Sequence, residues 1–191
     1  MSFGVVVVGT SLGGLQALKT FLNGLPTHFP LPVAVVQHQG SDATGDLSRL
    51  LQRYSALRVA DAEDKETLVP GRVYVAPVGY HLLLEPGSIA LSTDAPVWFA
   101  RPSIDVLFES AADSYGARAI GVILTGASSD GAAGLAAIKA QGGMAIVQDP
   151  DEAESRIMPA AAIAGTTVDR VLRLSEIAPY LNSLSGTPMR G

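Results

Sequence analysis

Short continuous apolar runs alternate along the chain with longer segments in which apolar residues recur at helical spacing. Four of the runs are rich in β-branched or other apolar residues, which is typical of buried strands. They lie at 5–8, 31–36, 72–77 and 119–124. The first helical segment follows at 12–25, where Gly24 and Pro26 mark its end.

The rest of the pattern predicts the remaining elements of an α/β fold. Helices are predicted at 45–54, 104–115, 131–141 and 176–184, short strands at 144–148 and 170–174, and a hairpin of strands 81–85 and 88–92. Buried strands joined by helices predict a doubly wound, mainly parallel sheet with helices on both faces and the antiparallel hairpin at an edge. We expect one domain over residues 1–184, followed by a disordered tail at 185–191.

Composition narrows the function classes. The chain has 191 residues, 48% of them hydrophobic and 16% charged, which excludes a disordered chain. A net charge of −5 without basic runs argues against nucleic-acid binding. The absence of cysteine excludes disulfides and thiol chemistry, and three histidines make a metal site improbable, so we expect no metal or cofactor. Without a signal peptide or membrane-spanning run, a cytoplasmic protein is expected.

The turn after the first strand carries the strongest chemical signal. Residues 9–13 fit the pattern G-x-S-x-G, in which a strand-turn-helix bend exposes a serine hydroxyl above a sheet. The serine is Ser11, and the amide of Leu12 is placed to help bind an oxyanion. The turn predicts a serine hydrolase if a base and an acid lie nearby.

Two other strand ends supply those groups. His38 follows the second strand and Asp130 follows the strand at 119–124. The carboxyl ends of parallel strands share one edge of the sheet, so these side chains should converge on Ser11. A serine needs a base to remove its proton, and an imidazole needs an anion to fix its tautomer.

Each of these residues also has a simpler interpretation. Ser11 and Asp130 are common helix N-cap residues, and His38 is consistent with a loop histidine bonded to backbone. Asp149, at another strand end, is the main competitor of Asp130.

Four other polar residues are less favoured as catalytic groups. His28 is expected to be exposed and His81 to be structural. Asp42 lacks a glycine-rich setting that would fix it. Asp105, in the first turn of a helix, is explained by the helix dipole alone.

Several motifs in register resemble one family. They are Gly9-Thr10-Ser11-Leu12-Gly13-Gly14, Gln37-His38, Ala76-Pro77 with His81, the segment 101–108, and 121–126 leading to Asp130-Gly131-Ala132-Ala133-Gly134-Leu135. From about Val5 to about Leu181 the chain resembles the catalytic domain of the CheB family of chemotaxis protein-glutamate methylesterases.

The resemblance implies an activity and a role for each site residue. It implies hydrolysis of γ-glutamyl methyl esters on the cytoplasmic helices of methyl-accepting chemoreceptors, and often deamidation of receptor glutamines. Ser11 would be the nucleophile, His38 the general base and then acid, and Asp130 the orienting carboxylate. The family's oxyanion donor falls on the backbone N–H of Ala127. The family needs no metal or cofactor and inserts into no membrane.

The chain departs from the family in the loop at 125–130, where Ala127 and Ser128 replace the usual Met and Gly. Full-length relatives also carry an N-terminal receiver domain. None is expected here, so any regulator would act in trans.

Three alternatives stay open. They are a non-catalytic relative, an esterase for another ester, and a nucleotide-binding module. The glycine spacing disfavours the last, because a dinucleotide fingerprint needs glycine where Ser11 stands.

Overall fold

Seven parallel strands form the central sheet in a computed structural model that describes residues 3–39 and 45–185. The strands, in chain order, are β1 (Val5–Thr10), β2 (Val33–Gln37), β3 (Arg58–Asp61), β4 (Arg72–Val75), β5 (His81–Glu85), β6 (Ser88–Ser92), β7 (Ala119–Ile123), β8 (Met144–Gln148) and β9 (Arg170–Leu172). The sheet order is β3-β4-β2-β1-β7-β8-β9, and every pairing in it is parallel. The β5–β6 hairpin forms a separate antiparallel sheet that packs on the helix after it.

Six α-helices cover both faces of the sheet. They are α1 (Gly14–Asn23), α2 (Leu47–Gln52), α3 (Ile104–Tyr115), α4 (Ala132–Ala140), α5 (Ile157–Gly165) and α6 (Leu174–Ser185). Alternate residues of β1 belong to two hydrophobic cores, one on each face of the sheet. Val5 and Val7 lie in the core with α3, α4 and α5, while Val6 and Val8 lie in the core with α1, α2 and α6. This alternation explains why β1 is apolar at every position from Val5 to Val8.

The predicted doubly wound fold is confirmed, with two additional elements and several shifted element boundaries. The strand β3 and the helix α5 were not predicted. Helix α1 begins at Gly14 rather than at residue 12, because Gly13 adopts a φ of 78° and ends the turn. The predicted tail after Ser185 lies outside the described residues.

The topology reverses direction at the centre of the sheet. After β1 the chain winds outward through β2 and β4, and later returns to place β7 on the other side of β1. A crevice forms beyond the carboxyl ends of strands at such a switch point, and this is where ligands bind in open α/β sheets. The ends of β1, β2 and β7 lead directly to Ser11, His38 and the loop that contains Asp130.

Within the described residues, no helix is both long enough and apolar enough to cross a membrane.

Candidate active site

The turn that carries Ser11 is hydrogen-bonded to Thr125, just after the end of β7. Thr125 O accepts hydrogen bonds from the Ser11 N–H at 3.0 Å and from Thr10 Oγ1 at 2.7 Å. In return, Thr125 Oγ1 donates to Leu12 O at 2.9 Å. These bonds join the turn to the neighbouring strand at three points, so the backbone around Ser11 is held by tertiary contacts as well as by its own geometry.

Ser11 does not cap α1. The N-cap position belongs to Gly13, and no side chain caps the helix. Within residues 3–39 and 45–185, the Ser11 hydroxyl donates to no protein group and is partly exposed. The simpler interpretation of this serine, as a helix cap, therefore does not describe the structure.

His38 and Asp130 meet directly. His38 Nε2 lies 2.6 Å from Asp130 Oδ2, and the His38 side chain is 15% exposed while Asp130 is fully buried. With Nε2 engaged by the carboxylate, Nδ1 is the imidazole nitrogen left to face the crevice. A short contact to a buried carboxylate fixes both the ring and its tautomer.

Asp130 accepts three further hydrogen bonds, all from the start of α3. Its Oδ1 accepts from Ser103 Oγ and from the Asp105 N–H, each at 2.9 Å, and its Oδ2 accepts from the Ile104 N–H at 2.7 Å. Burial by itself would raise the pKa of Asp130, but hydrogen bonds from His38, Asp105 and Ile104 outweigh it and lower the pKa. The carboxylate is therefore ionised at neutral pH. Its backbone donors belong to the first turn of α3, and the N-cap residue of α4 is Gly131. The interpretation of Asp130 as the N-cap of α4 is therefore wrong.

The prediction that the helix dipole alone explains Asp105 is wrong, because its side chain joins three other groups of the site region. Its side chain is buried, with Oδ1 accepting from the N–H groups of Gly131 at 2.9 Å and Gly134 at 2.7 Å. Its Oδ2 accepts from Trp98 Nε1 at 3.2 Å. Burial raises the pKa of Asp105, with the Asp130 charge adding to the rise and the Gly134 and Gly131 bonds opposing it. Asp130 thus accepts hydrogen bonds from the first backbone N–H groups of α3. Asp105, which lies on α3, accepts them from the backbone N–H groups at the start of α4.

Gln37 joins the serine turn to the histidine. Its Nε2 donates to Ser11 O at 2.9 Å and to His38 O at 2.7 Å. One amide group therefore sets the separation of two backbone segments that carry candidate catalytic side chains. This role was not predicted from the sequence, in which the only signal is a polar residue at the end of a buried strand.

The two predicted oxyanion donors have no acceptor among the described residues. These are the amides of Leu12 and Ala127, and other loop amides share this property. Both residues are exposed, and Leu12 lines the same pocket as Ser11 and His38. The Leu12 amide therefore lies in the same pocket as the candidate nucleophile, where an oxyanion requires a donor, while Ala127 stays a prediction.

His38 lines two surface pockets. One, of about 550 Å³, is lined by Ser11, Leu12, Leu15, Lys19 and Glu154 among others. The second, of about 480 Å³, also includes His38 and is lined by residues of the loop at 96–102. The site is thus an open crevice on the surface rather than an enclosed chamber.

The other sequence candidates lie apart from this crevice. Asp149 Oδ1 accepts from the Asp151 N–H at 2.9 Å and makes a turn. His28 is exposed. His81 is buried and structural, since Nδ1 accepts from the Ser103 N–H and Nε2 lies 3.1 Å from Ala95 O. Asp42 lies outside the described residues.

Across 3–39 and 45–185, no cluster of three or more His, Asp or Glu side chains is arranged to hold a metal ion.

A serine, a histidine and a buried aspartate at three strand ends of a doubly wound sheet have the architecture of a serine hydrolase. Comparison with known proteins identifies the family. The CheB methylesterase family model matches residues 6–181, and the chain belongs to that family.

Individual relatives agree with the family match. A protein of Leptospira interrogans is 49% identical over 179 residues, which cover 93% of this chain and 93% of that relative. The protein-glutamate methylesterase/protein-glutamine glutaminase 2 of Anaeromyxobacter dehalogenans is 47% identical, covering 95% of this chain and 53% of that longer relative. The crystal structure of the Thermotoga maritima CheB methylesterase catalytic domain superposes with a TM-score of 0.90 at 35% identity, covering 96% of this chain and all of that one.

Proposed function

We propose that the protein is a protein-glutamate methylesterase that removes methyl groups from γ-glutamyl esters on chemoreceptor cytoplasmic helices. The observation that carries the proposal is the 2.6 Å contact between His38 Nε2 and the buried Asp130 beside the Ser11 turn. Family membership supplies the ester, and the geometry supports His38 as a base whose ring is oriented by a buried carboxylate.

In the proposed mechanism Ser11 Oγ attacks the ester carbonyl carbon and its proton passes to His38 Nδ1. The negative charge that develops on the carbonyl oxygen is bound by the N–H groups of Leu12 and Ala127. When the tetrahedral intermediate collapses, the bond to the methoxy oxygen breaks and His38 returns the proton, so methanol leaves. Asp130 stabilises the imidazolium that exists between these two transfers.

The second half of the cycle repeats the same steps with water. The acyl-enzyme joins Ser11 Oγ to the former glutamate side chain. His38 takes a proton from water, hydroxide adds to the acyl carbon, and the serine departs with the proton that His38 then gives back. The products are a glutamate carboxylate and free enzyme. A glutamine amide would enter the same path with ammonia leaving, an extension supported by the name of the Anaeromyxobacter relative.

The test is methanol release from methyl-labelled chemoreceptor membranes by this chain without an attached receiver domain. Ser11→Ala should lower turnover by about 10⁶-fold, because triad members act as a unit. Ser129→Ala, an exposed serine in the loop before α4, is the matched control and should release methanol normally. If the unaltered chain releases none while the Thermotoga domain does so on the same membranes, the proposal fails. A non-catalytic relative or another ester would then be favoured.

A further inference from the structure

A tight turn beside His38 displays two aromatic side chains to solvent. Val97 and Ala100 exchange backbone hydrogen bonds at 3.1 and 2.9 Å, and Trp98 and Phe99 stand between them. Trp98 is 63% exposed and Phe99 is fully exposed. We call residues 97–100 the aromatic turn.

The backbone of the aromatic turn is of a kind that aromatic residues rarely adopt. Trp98 has a φ of 50° and Phe99 a φ of 61°, both in the left-handed region. Positive φ at both central positions is the pattern of a type I′ turn, which strongly prefers Asn-Gly. Bulky residues in this region are uncommon and persist where the surrounding structure imposes them, most often at functional sites.

Contacts on both sides hold the aromatic turn in place. Trp98 Nε1 donates to Asp105, and His81 Nε2 contacts Ala95 O. Arg101 donates to the carbonyls of Thr93 and Asp94 at 2.8 and 3.0 Å. The turn is thus preorganised, which lowers the entropic cost of binding.

The position of the aromatic turn indicates what it contacts. It lines the pocket of about 480 Å³ that includes His38, so a large substrate bound at His38 has the turn within reach. The other pocket that includes His38 carries the exposed leucines Leu12 and Leu15. Exposed apolar side chains therefore line both pockets that meet at His38.

Basic side chains accompany these apolar pairs. Arg101 lines the pocket of the aromatic turn and Lys19 lines the pocket of the leucines, the latter together with Glu154. Although the chain has a net charge of −5, a cation therefore borders each pocket. A helix rich in glutamate fits such a surface better than a neutral one.

We propose that the aromatic turn docks an amphipathic receptor helix, whose apolar residues pack on Trp98 and Phe99 while its methyl ester enters between the two pockets. The proposal rests on the function proposed above. Recognition of helices by apolar anchors in a surface groove is a recurrent mode, and buried aromatic side chains dominate the energetics of many interfaces.

Phe99→Gly is the decisive variant, because glycine suits a φ of 61° and the exposed ring contributes no packing. We expect an unchanged or raised Tm together with a KM for methylated receptor raised by about 10- to 100-fold. The ratio of receptor turnover to turnover of a small γ-glutamyl methyl ester should fall by the same factor. Val171→Ala, an exposed residue on the distant edge strand β9, is the control.

Trp98 offers a direct readout, since it is the only tryptophan of the chain. In a Ser11→Ala background, adding a methylated cytoplasmic receptor fragment should shield Trp98 fluorescence from acrylamide quenching. A receptor KM within twofold of the unaltered protein in Phe99→Gly, or unshielded Trp98 at saturating fragment, would overturn the docking proposal. Failure of the proposed function is distinct: it would abolish Ser11-dependent release of methanol from every methyl ester.

Discussion

Replacing Asp130 by asparagine tests the site by changing one atom. The carboxylate accepts four hydrogen bonds, two on each oxygen. An amide keeps one acceptor oxygen and presents an NH₂ group in place of the other. Whichever way the asparagine side chain is placed, one backbone N–H at the start of α3 faces a donor: Ile104 in one orientation and Asp105 in the other.

The two losses have different sizes. A buried N–H left without an acceptor costs about 1–3 kcal/mol, so unfolding should become easier by about that amount. The catalytic loss should be larger, since the anion that stabilises the His38 imidazolium is gone. In the orientation that puts NH₂ toward His38, the ring must also carry its proton on Nδ1, where it cannot accept one from Ser11. By analogy with other triads, turnover should fall by about 10³- to 10⁴-fold.

The assay compares methanol release and guanidinium unfolding for three variants. Ser103→Ala removes one hydrogen bond to Asp130 but leaves the charge of Asp130 in place. We therefore expect about 1 kcal/mol of destabilisation and a turnover within a few-fold of that of the unaltered protein. Asp149→Asn changes only a turn and should affect neither measurement. A turnover loss below tenfold in Asp130→Asn, or a large loss in Asp149→Asn, would refute the assignment of the orienting carboxylate.

The pH dependence of stability provides a second measure of Asp130. Its pKa is lowered in the folded state, so the unfolded chain binds more protons in the acid range. The stability that Asp130 contributes is present above its ordinary pKa of about 3.9 and is lost as the pH falls through the lower folded value. The stability difference between the unaltered protein and Asp130→Asn should therefore shrink below about pH 4.

Substitutions at two further positions, Asp105 and Gly14, test the surroundings of the site. Asp105→Ala should cost about 2–4 kcal/mol, because the buried N–H groups of Gly131 and Gly134 lose their acceptor, whereas Asp105→Asn keeps that oxygen and should cost far less. The pKa of Asp105 is raised in the folded state. The stability that its protonated side chain contributes is therefore fully present below the unfolded pKa of about 3.9, and it is lost as the pH rises through the higher pKa of the folded state. Asp105→Asn should therefore gain on the unaltered protein in urea unfolding above that pH; a constant difference would contradict the buried-charge assignment. Gly14→Ala would push its Cβ against Gln37, whose amide spaces the serine turn and the histidine, and should lower kcat by about 10- to 100-fold in the methanol assay; an unchanged kcat would show that this spacing is not critical.

The sequence predicts the elements whose residues are buried on both faces. Strands β1, β2 and β7 are continuous apolar runs, and their shared edge follows from the parallel topology. Strand β3 was missed because it is an edge strand in which only Val59 is fully buried. Helix α5 has Pro159 in its first turn, where proline is tolerated although it interrupts a helical pattern in the sequence.

The candidate site was predicted more completely than its supports. Ser11, His38 and Asp130 follow strand ends and bear chemically complementary side chains, so their convergence could be inferred. The contacts of Gln37 and Asp105 depend on how the loops and helices pack, which no local pattern encodes. For Asp105 a signal did exist: it lies on the face of α3 that also carries Phe108 and Ala112, and a carboxylate on a buried face needs donors.

Two buried carboxyl groups accept hydrogen bonds from the first backbone N–H groups of two neighbouring helices: Asp130 accepts from the start of α3, and Asp105 accepts from the start of α4. Their different sets of donors explain why the pKa of only one of them is lowered. Asp130 and Asp105 lie close enough for each charge to act on the other, yet their pKa values move in opposite directions. Asp130 gains the imidazole, a hydroxyl and two backbone N–H groups, while Asp105 has two backbone N–H groups and an indole. Environments that separate the pKa values of neighbouring carboxyls also separate their roles. The carboxyl that contacts His38 is the one whose pKa is lowered. Its neighbour Asp105 contacts no base, burial raises its pKa, and its hydrogen bond from Trp98 links this pair of carboxyls to the aromatic turn.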